Sequence, residues 1–450
     1  MRAPTVEGDF DLTGSPLVRD ALPGLAAALD PKLASTMLES AVVEPGLTVE
    51  GCRPGKALYL GAEGCGLRYE LEVRDQAGRA WSVLLLGRVL PDDAAAARYA
   101  GAVAARADGL GDRMVCDGVR HWAVLPDNVV VHRFPIDPEL PTLADAVDAR
   151  AVAGATGDRV PGLAEADVAL GHYGRRDRCV LRYHYGNATV YGKVWSDDRG
   201  AVVAHTVARL EGGIGPAAVP RLFAYVPELR LALLDALAGT PALAAAMAGD
   251  APTAARLVAD AAAVAVALHT GELALTAVRT MEMELDELRG LLDLMAPVAP
   301  ELAARFQPLL ADITAAAAAT DALPLVPTHG DFTPSQLLSD GDSCGLVDFD
   351  SMAQGEAALD LGQYLAYLRL AAAKSGWSVD DAEDLGRRFF ARYAEGRGPE
   401  EADALRERAQ VYGCVSLFRT TAHAWQKLKP TRAATVFAPL TREVACLPRG

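Results

Sequence analysis

Residues 329–336 read His329-Gly330-Asp331-Phe332-Thr333-Pro334-Ser335-Gln336, and Gly345-Leu346-Val347-Asp348-Phe349-Asp350 follows nine residues after Gln336. Between them Leu337-Leu338-Ser339, Asp340-Gly341 and Cys344 to Val347 spell strand, turn, strand. Such a hairpin brings Asp331, Gln336 and Asp348 to one edge. That set suits phosphoryl transfer: one carboxylate orients an attacking hydroxyl, while a side-chain carbonyl and a second carboxylate hold magnesium on nucleotide phosphates. Taken alone, an H-x-D sequence is commonly a hydrogen-bonded loop pair, and His329 and His269 read as structural.

The elements that must position these residues are legible in outline. Residues 178–195 form two β-rich runs flanking Gly186-Asn187, a hairpin signature that leaves Lys193 near a strand end. Cys179-Val180-Leu181-Arg182-Tyr183 echoes Cys65-Gly66-Leu67-Arg68-Tyr69, and Gly192-Lys193-Val194-Trp195-Ser196-Asp197-Asp198 echoes Gly87-Arg88-Val89-Leu90-Pro91-Asp92-Asp93. Two blocks in the same order predict a duplicated sheet, with a longer turn around Asp75-Gln76-Ala77-Gly78 in the first copy. A Pro-punctuated segment, Phe134 to Pro141, connects the copies. From about Pro241 to Leu323 the spacing is helical, with breaks at Thr270-Gly271 and around Pro297 and Pro300. A β-rich block at 324–350 follows, and helices resume from about Leu359.

On these residues the chain resembles the aminoglycoside phosphotransferase and choline kinase superfamily, a branch of the protein-kinase-like fold, over roughly residues 165–430. The usual pattern is H-G-D, four residues, Asn, then D-x-D. The resemblance implies that Asp331 is the catalytic aspartate and Asp348 the magnesium aspartate. Gln336 stands where Asn is commoner and keeps the carbonyl oxygen. Asp350 is either a second acidic metal contact or a loop brace. Gly355, Asp360 and Leu361 match a downstream G-x4-D-L whose Asp supports the catalytic loop. Lys193 stands where the family places its lysine on the α/β-phosphates, and Leu231 to Gly239, with Asp235 and Leu237, resembles the hinge that receives adenine. Glu211 is the acid assigned to Lys193. The loop Gly171 to Arg178 departs from a G-x-G-x-x-G pattern; its arginines either approach phosphates or face water.

The implied architecture is α+β and bilobal: an N-terminal α/β cap over 1–160 with a degenerate copy of the nucleotide-lobe hairpin, similar to that of maltokinases; an antiparallel-sheet nucleotide lobe and hinge over 161–239; and a helical catalytic and substrate lobe over 240–450. Arg88 occupies in the first copy the place of Lys193 in the second. No second H-G-D set exists, so the first copy is expected to cover the lobe, with Arg88 in a surface or inter-domain contact. The implied reaction moves the γ-phosphoryl group of ATP, with Mg2+, to a hydroxyl of an aminoglycoside, sugar or other natural product. The alternatives are a Ser or Thr of a small peptide as acceptor, or an inactive kinase fold that only binds.

Composition narrows the partners. The 59 acidic and 43 basic residues give a formal charge of −16, which argues against nucleic acid, since phosphate backbones are bound by Lys and Arg. Seven cysteines, widely spread and without a C-x-x-C pair, indicate neither a zinc site nor a disulfide framework. The start carries no apolar run, and the longest uncharged stretch, Ala236 to Gly249, is too short to span a bilayer. The expectation is a soluble, cytoplasmic protein without a membrane partner.

Overall fold

The computed structural model describes residue 10 and residues 15–113, 117–175, 177–242, 251–341, 343–375, 377–395 and 398–448. Cys116, Arg176, most of the uncharged stretch after Ala242 and the first nine residues lie outside the described residues.

The first part begins with α1 (Leu25–Leu29) and α2 (Pro31–Val42). Asp30 caps α2 by accepting from the amides of Lys32 and Leu33 at 2.9 Å, with Pro31 at the first helical position. An antiparallel sheet follows: β1 (Leu47–Tyr59), β2 (Cys65–Asp75), β3 (Ala80–Val89), then α3 (Asp93–Leu110), β4 (Trp122–Leu125) and β5 (Val129–Arg133), in the spatial order β1-β2-β3-β5-β4. Alternation along β2 puts Leu67, Tyr69, Leu71 and Val73 into the core.

The second part repeats this plan. Here α4 (Leu143–Val147) and α5 (Ala149–Thr156) precede β6 (Asp167–Arg175), β7 (Arg178–Tyr185), β8 (Ala188–Trp195), α6 (Arg199–Arg209), β9 (Ala217–Ala218), β10 (Leu222–Val226) and β11 (Leu231–Asp235). Asp148 caps α5 as Asp30 caps α2. The sheet order is β6-β7-β8-β11-β10, the same topology as the first. Register agrees as well: Leu67 pairs with Gly87 and Leu181 with Gly192, which leaves Arg88 and Lys193 at equivalent places. The first ladder runs on to Arg74↔Ala80, whereas the second stops at Tyr185↔Ala188. Longer strands therefore account for most of the spacing difference, and the turn for the rest. Leu140 to Leu163 pack in one core with Cys179, Leu181 and Tyr183, so α4 and α5 belong physically to the second sheet although they precede residue 160.

The last part is helical: α7 (Ala251–His269), α8 (Met281–Met295), α9 (Pro300–Ala319), α10 (Ala357–Ser375), α11 (Val379–Ala394), α12 (Pro399–Gln426) and α13 (Pro430–Ala445). Two small sheets are set among them. One joins β12 (Thr240–Pro241), β15 (Leu337–Ser339), β16 (Cys344–Leu346) and β9; the other joins β13 (Val278–Arg279), β17 (Ala353–Glu356) and β14 (Leu325–Thr328). A buried ion pair ties this part together: Arg408 donates to both oxygens of Glu356 at 2.7 Å and to the Ala317 carbonyl at 2.9 Å. The first sheet also touches the helices directly. Tyr59 stacks edge-on against Trp425 at 5.8 Å, and the Gln426 amide donates to the Tyr59 carbonyl at 2.8 Å. Among the described residues no helix is long and apolar enough to cross a membrane.

Candidate active site

Strand β14 delivers the chain to His329-Gly330-Asp331, and the loop is held from below by Asp360 in the first turn of α10. Asp360 is fully buried and accepts from the amides of His329 at 2.7 Å and Gly330 at 2.9 Å, while His269 Nε2 lies 3.1 Å from it. Burial alone would raise this carboxyl, but the contacts from His269 and the His329 amide hold it below the ordinary carboxylate value. Gly330 has φ +74°, and a Cβ there would sit 2.2 Å from the Ser351 carbonyl oxygen, so the turn requires glycine. His329 is structural: its Nε2 lies 3.1 Å from the Val347 carbonyl and its Nδ1 faces the Asp331 amide at 3.3 Å.

The loop presents Asp331 half-buried, its carboxylate oriented by two amides. Gln336 Nε2 donates at 2.8 Å and Gln363 Nε2 at 3.4 Å. The hairpin β15–β16 then carries Asp348 across from Gln336, with the Val347 amide donating to the Gln336 carbonyl at 3.0 Å. Asp348 is in the left-handed region at φ +68°, a conformation costly for a residue with a Cβ.

From the second sheet Lys193, 8 % exposed, reaches Asp348 Oδ1 at 2.7 Å and Asp350 Oδ1 at 2.5 Å. Arg178 Nη1 donates to the other Asp350 oxygen at 2.5 Å. Burial would raise the Asp348 carboxyl, but the Lys193 ammonium, with Arg178 beyond it, holds it below its usual value. Asp331, Asp348 and Arg178 line one cavity of 250 Å³ together with Arg279, Gln363 and Tyr367. At the end of β11, Asp235 accepts from the Ala236 amide at 2.8 Å. Leu237 lies over β16, its Cδ1 2.9 Å from where a Gly345 Cβ would be.

One assignment is corrected. Glu211 does not meet Lys193: it is exposed, beyond the end of α6, and the acids at the lysine are Asp348 and Asp350. Helix α6 itself, Arg199–Arg209, contains no acid, so nothing on it competes for the ammonium. Of the two places expected for Arg88 the surface is excluded: it is 6 % exposed and bonded at 2.8 Å to Glu139, in the segment joining the two copies. Sequence reasoning missed Gln363, although Asp360 and Gln363 three residues apart share a helix face. Arg178 was visible only as one of several loop arginines.

The donors present suit magnesium better than a metal that needs an all-protein cage. Among the described residues no group of three or more His, Cys, Asp or Glu is placed to hold an ion. Asp348 and the Gln336 side-chain oxygen are the two hard donors beside Asp331. Magnesium that arrives on phosphates takes one or two such ligands and fills the rest with phosphate and water oxygens.

Residues 202–407, which contain Asp331, Gln336, Asp348 and Asp360, match the model of the phosphotransferase enzyme family. Over that segment, just under half of the chain, the sequence is similar to this family. No curated protein matches it. Among solved structures, a choline kinase of Cryptosporidium parvum is 13 % identical with a TM-score of 0.50, over 66 % of this chain and 95 % of that one. An ethanolamine kinase of Plasmodium vivax is 13 % identical with a TM-score of 0.48, over 66 % of this chain and 87 % of that one. An aminoglycoside phosphotransferase of Streptomyces rimosus is 19 % identical with a TM-score of 0.39, over 60 % of this chain and 97 % of that one. The likeness to the choline kinase shows the kinase-like fold: an antiparallel-sheet part followed by a helical part. The family match begins after Lys193, so the first sheet lies wholly outside it.

Proposed function

We propose that this chain moves the γ-phosphoryl group of ATP, with magnesium, to a hydroxyl of a small molecule such as an aminoglycoside, a sugar or another natural product. The observation that carries the reading is that Asp331 and Asp348 line one cavity while Lys193, from the second sheet, bonds to Asp348. Asp331 orients the acceptor hydroxyl and takes its proton. The acceptor oxygen bonds to the γ-phosphorus as the bond to the β–γ bridging oxygen breaks, and ADP leaves. Lys193 turns from Asp348 and Asp350 to the nucleotide phosphates. Asp348 and Gln336 hold the metal, which when bound neutralises charge on the phosphate oxygens. Asp350, with both oxygens bonded to cations, serves as the brace for Lys193 and Arg178. Asp235 and Leu237 border the adenine. In this division, residues 161–239 with the preceding helices form the nucleotide lobe, 240–450 the catalytic lobe and the first sheet the cap. The six described cysteines are all free thiols, which supports a reducing, cytoplasmic setting where ATP is supplied.

The test is an ATP-turnover screen over aminoglycosides, maltose-type sugars and hydroxyl-bearing peptides. EDTA should abolish turnover and magnesium restore it. Asp331→Asn should lower kcat by about 10²–10⁴ with little change in ATP affinity. Asp348→Asn should lose activity far more than stability. Normal turnover in either variant overturns the assignment, and turnover confined to the peptides overturns the small-molecule acceptor.

A further inference from the structure

A second cavity, of 290 Å³, lies between the first sheet, the edge strand β6 and the corner joining α12 to α13. The ladder register puts Arg68, Leu86 and His132 in one row, with Arg88 on the same face, and this face is the cavity floor. His172 and Arg178 come from the second sheet; Lys429 and Arg432, both exposed, stand at the rim. Seven Lys and Arg side chains line the cavity against one carboxylate, Glu139, in a chain of net charge −16.

That carboxylate is already bonded to Arg88. The Arg88 side chain is more than nine-tenths buried, yet its Nε has no partner, and neither does the buried Nε of Arg68. Leaving such a donor unmet is costly, more so for a charged group. Lys56 lies 3.2 Å from His172 Nδ1, and burial, with Arg68 and Lys429 nearby, pushes its ammonium pKa down. Like charges are thus crowded, although Arg68, Arg88 and Arg178 each already pair with a carboxylate, into a concavity with apolar walls at Leu58, Leu60 and Leu86. A cleft of one sign concentrates counter-ions, and guanidinium forks match oxyanions bidentately.

We propose that this cleft is a binding site for a small, multiply charged oxyanion, adjoining the site at Asp331, with which it shares Arg178. The chemistry suits a phosphate ester or a polycarboxylate whose apolar or neutral body rests on Leu58 and Leu86. The site requires neither the catalytic loop nor its metal.

Calorimetric titration of the full chain with pyrophosphate and with citrate tests this. At least one should bind, more weakly as salt rises; pyrophosphate alone assigns the phosphate class, citrate alone the carboxylate class, and both a general oxyanion site. Binding should fall at least tenfold in the double variant Lys429→Glu, Arg432→Glu. It should persist in Lys193→Ala, which blunts the neighbouring site. Lys56→Gln provides a second, milder rim variant, expected to weaken binding several-fold, and melting curves establish that each variant is folded. Binding by neither probe, unchanged binding in the folded rim variants, or loss in Lys193→Ala overturns the proposal.

Discussion

The two five-stranded sheets of this chain are built alike down to single hydrogen bonds, yet only the second sets its cation against Asp348 and Asp350. In each, a tyrosine ring packs over a glycine of the next strand, Tyr69 over Gly87 and Tyr183 over Gly192. In each, the tyrosine hydroxyl donates to a helix carbonyl at the same place in the repeat, that of Ala28 or Ala146. What differs is the partner of the cation one residue beyond the glycine. Lys193 meets Asp348 and Asp350 from the helical part; Arg88 meets Glu139, from the segment joining the two copies. A sheet of this kind supplies a cation at a fixed register, and the chemistry comes from whatever the second element sets against it. The compact ammonium suits transfer between carboxylates and phosphates, while the planar guanidinium suits a lasting paired contact.

The largest expected effect tests that division of labour. Lys193→Ala removes a charge that the proposed transition state needs, and the rate should fall by about 10²–10³, the scale of losing one preorganised electrostatic donor. In Arg88→Ala the rate loss should be at least tenfold smaller, while the melting temperature drops because the buried bond from Arg88 to Glu139 is lost. Parallel kcat measurements and melting curves read both. Equal rate losses would mean that the first sheet takes part in the transfer step and would break the comparison.

Much of this was legible beforehand. The motif at 329–336 with Asp348 and Asp360 pointed to residues that the fold does bring together, Asp360 beneath the loop and Asp331 with Asp348 on one cavity. Two blocks of the repeat were visible through Cys-x-Leu-Arg-Tyr and the Gly-Lys/Arg pair. A third lay unread: Leu22-Pro23-Gly24-Leu25-Ala26-Ala27-Ala28-Leu29-Asp30 against Leu140-Pro141-Thr142-Leu143-Ala144-Asp145-Ala146-Val147-Asp148. It is hidden in a sequence rich in Ala, where chance matches are common. That block fixes α4 and α5 to the second sheet. The acid at Lys193 was not legible, since nearness in sequence pointed to Glu211 while the true partners are more than 150 residues away. Arg178 was obscure for the same reason: its contact with Asp350 joins elements that meet only in the folded chain.

The glycines sharpen the comparison at intermediate size. A Cβ on Gly192 would stand 2.5 Å from Tyr183 Cε2 and 3.0 Å from Leu231 Cδ1, whereas on Gly87 the nearest atoms are Tyr69 Cε2 at 3.2 Å and Val131 Cγ1 at 3.3 Å. Gly192→Ala forces a buried ring to shift and should cost about 1–3 kcal/mol. Gly87→Ala needs shifts of a few tenths of an ångström, which the stiffer unfolded chain largely offsets, and should stay below about 1 kcal/mol. Urea denaturation of the two variants decides the order; a reversed order would mean that the second sheet is the more loosely packed.

The smallest effect concerns the paired tyrosines. Both rings are almost completely buried, and Tyr69 donates to the Ala28 carbonyl at 2.9 Å. Tyr69→Phe and Tyr183→Phe keep the ring on its glycine and remove only the hydroxyl, so each should cost about 1 kcal/mol, the net worth of one intramolecular hydrogen bond. Tyr69 and Tyr183 belong to different hydrophobic cores, the first continuous with that of the helical part and the second confined to the second sheet with α4 and α5. Changes without shared partners add, so the double variant should lose about 2 kcal/mol. Urea unfolding of the single and double variants reads this directly. A double loss well beyond the sum would mean that the two sheets stabilise each other across the cleft between them, and that the first sheet is a structural support of the second as well as its copy.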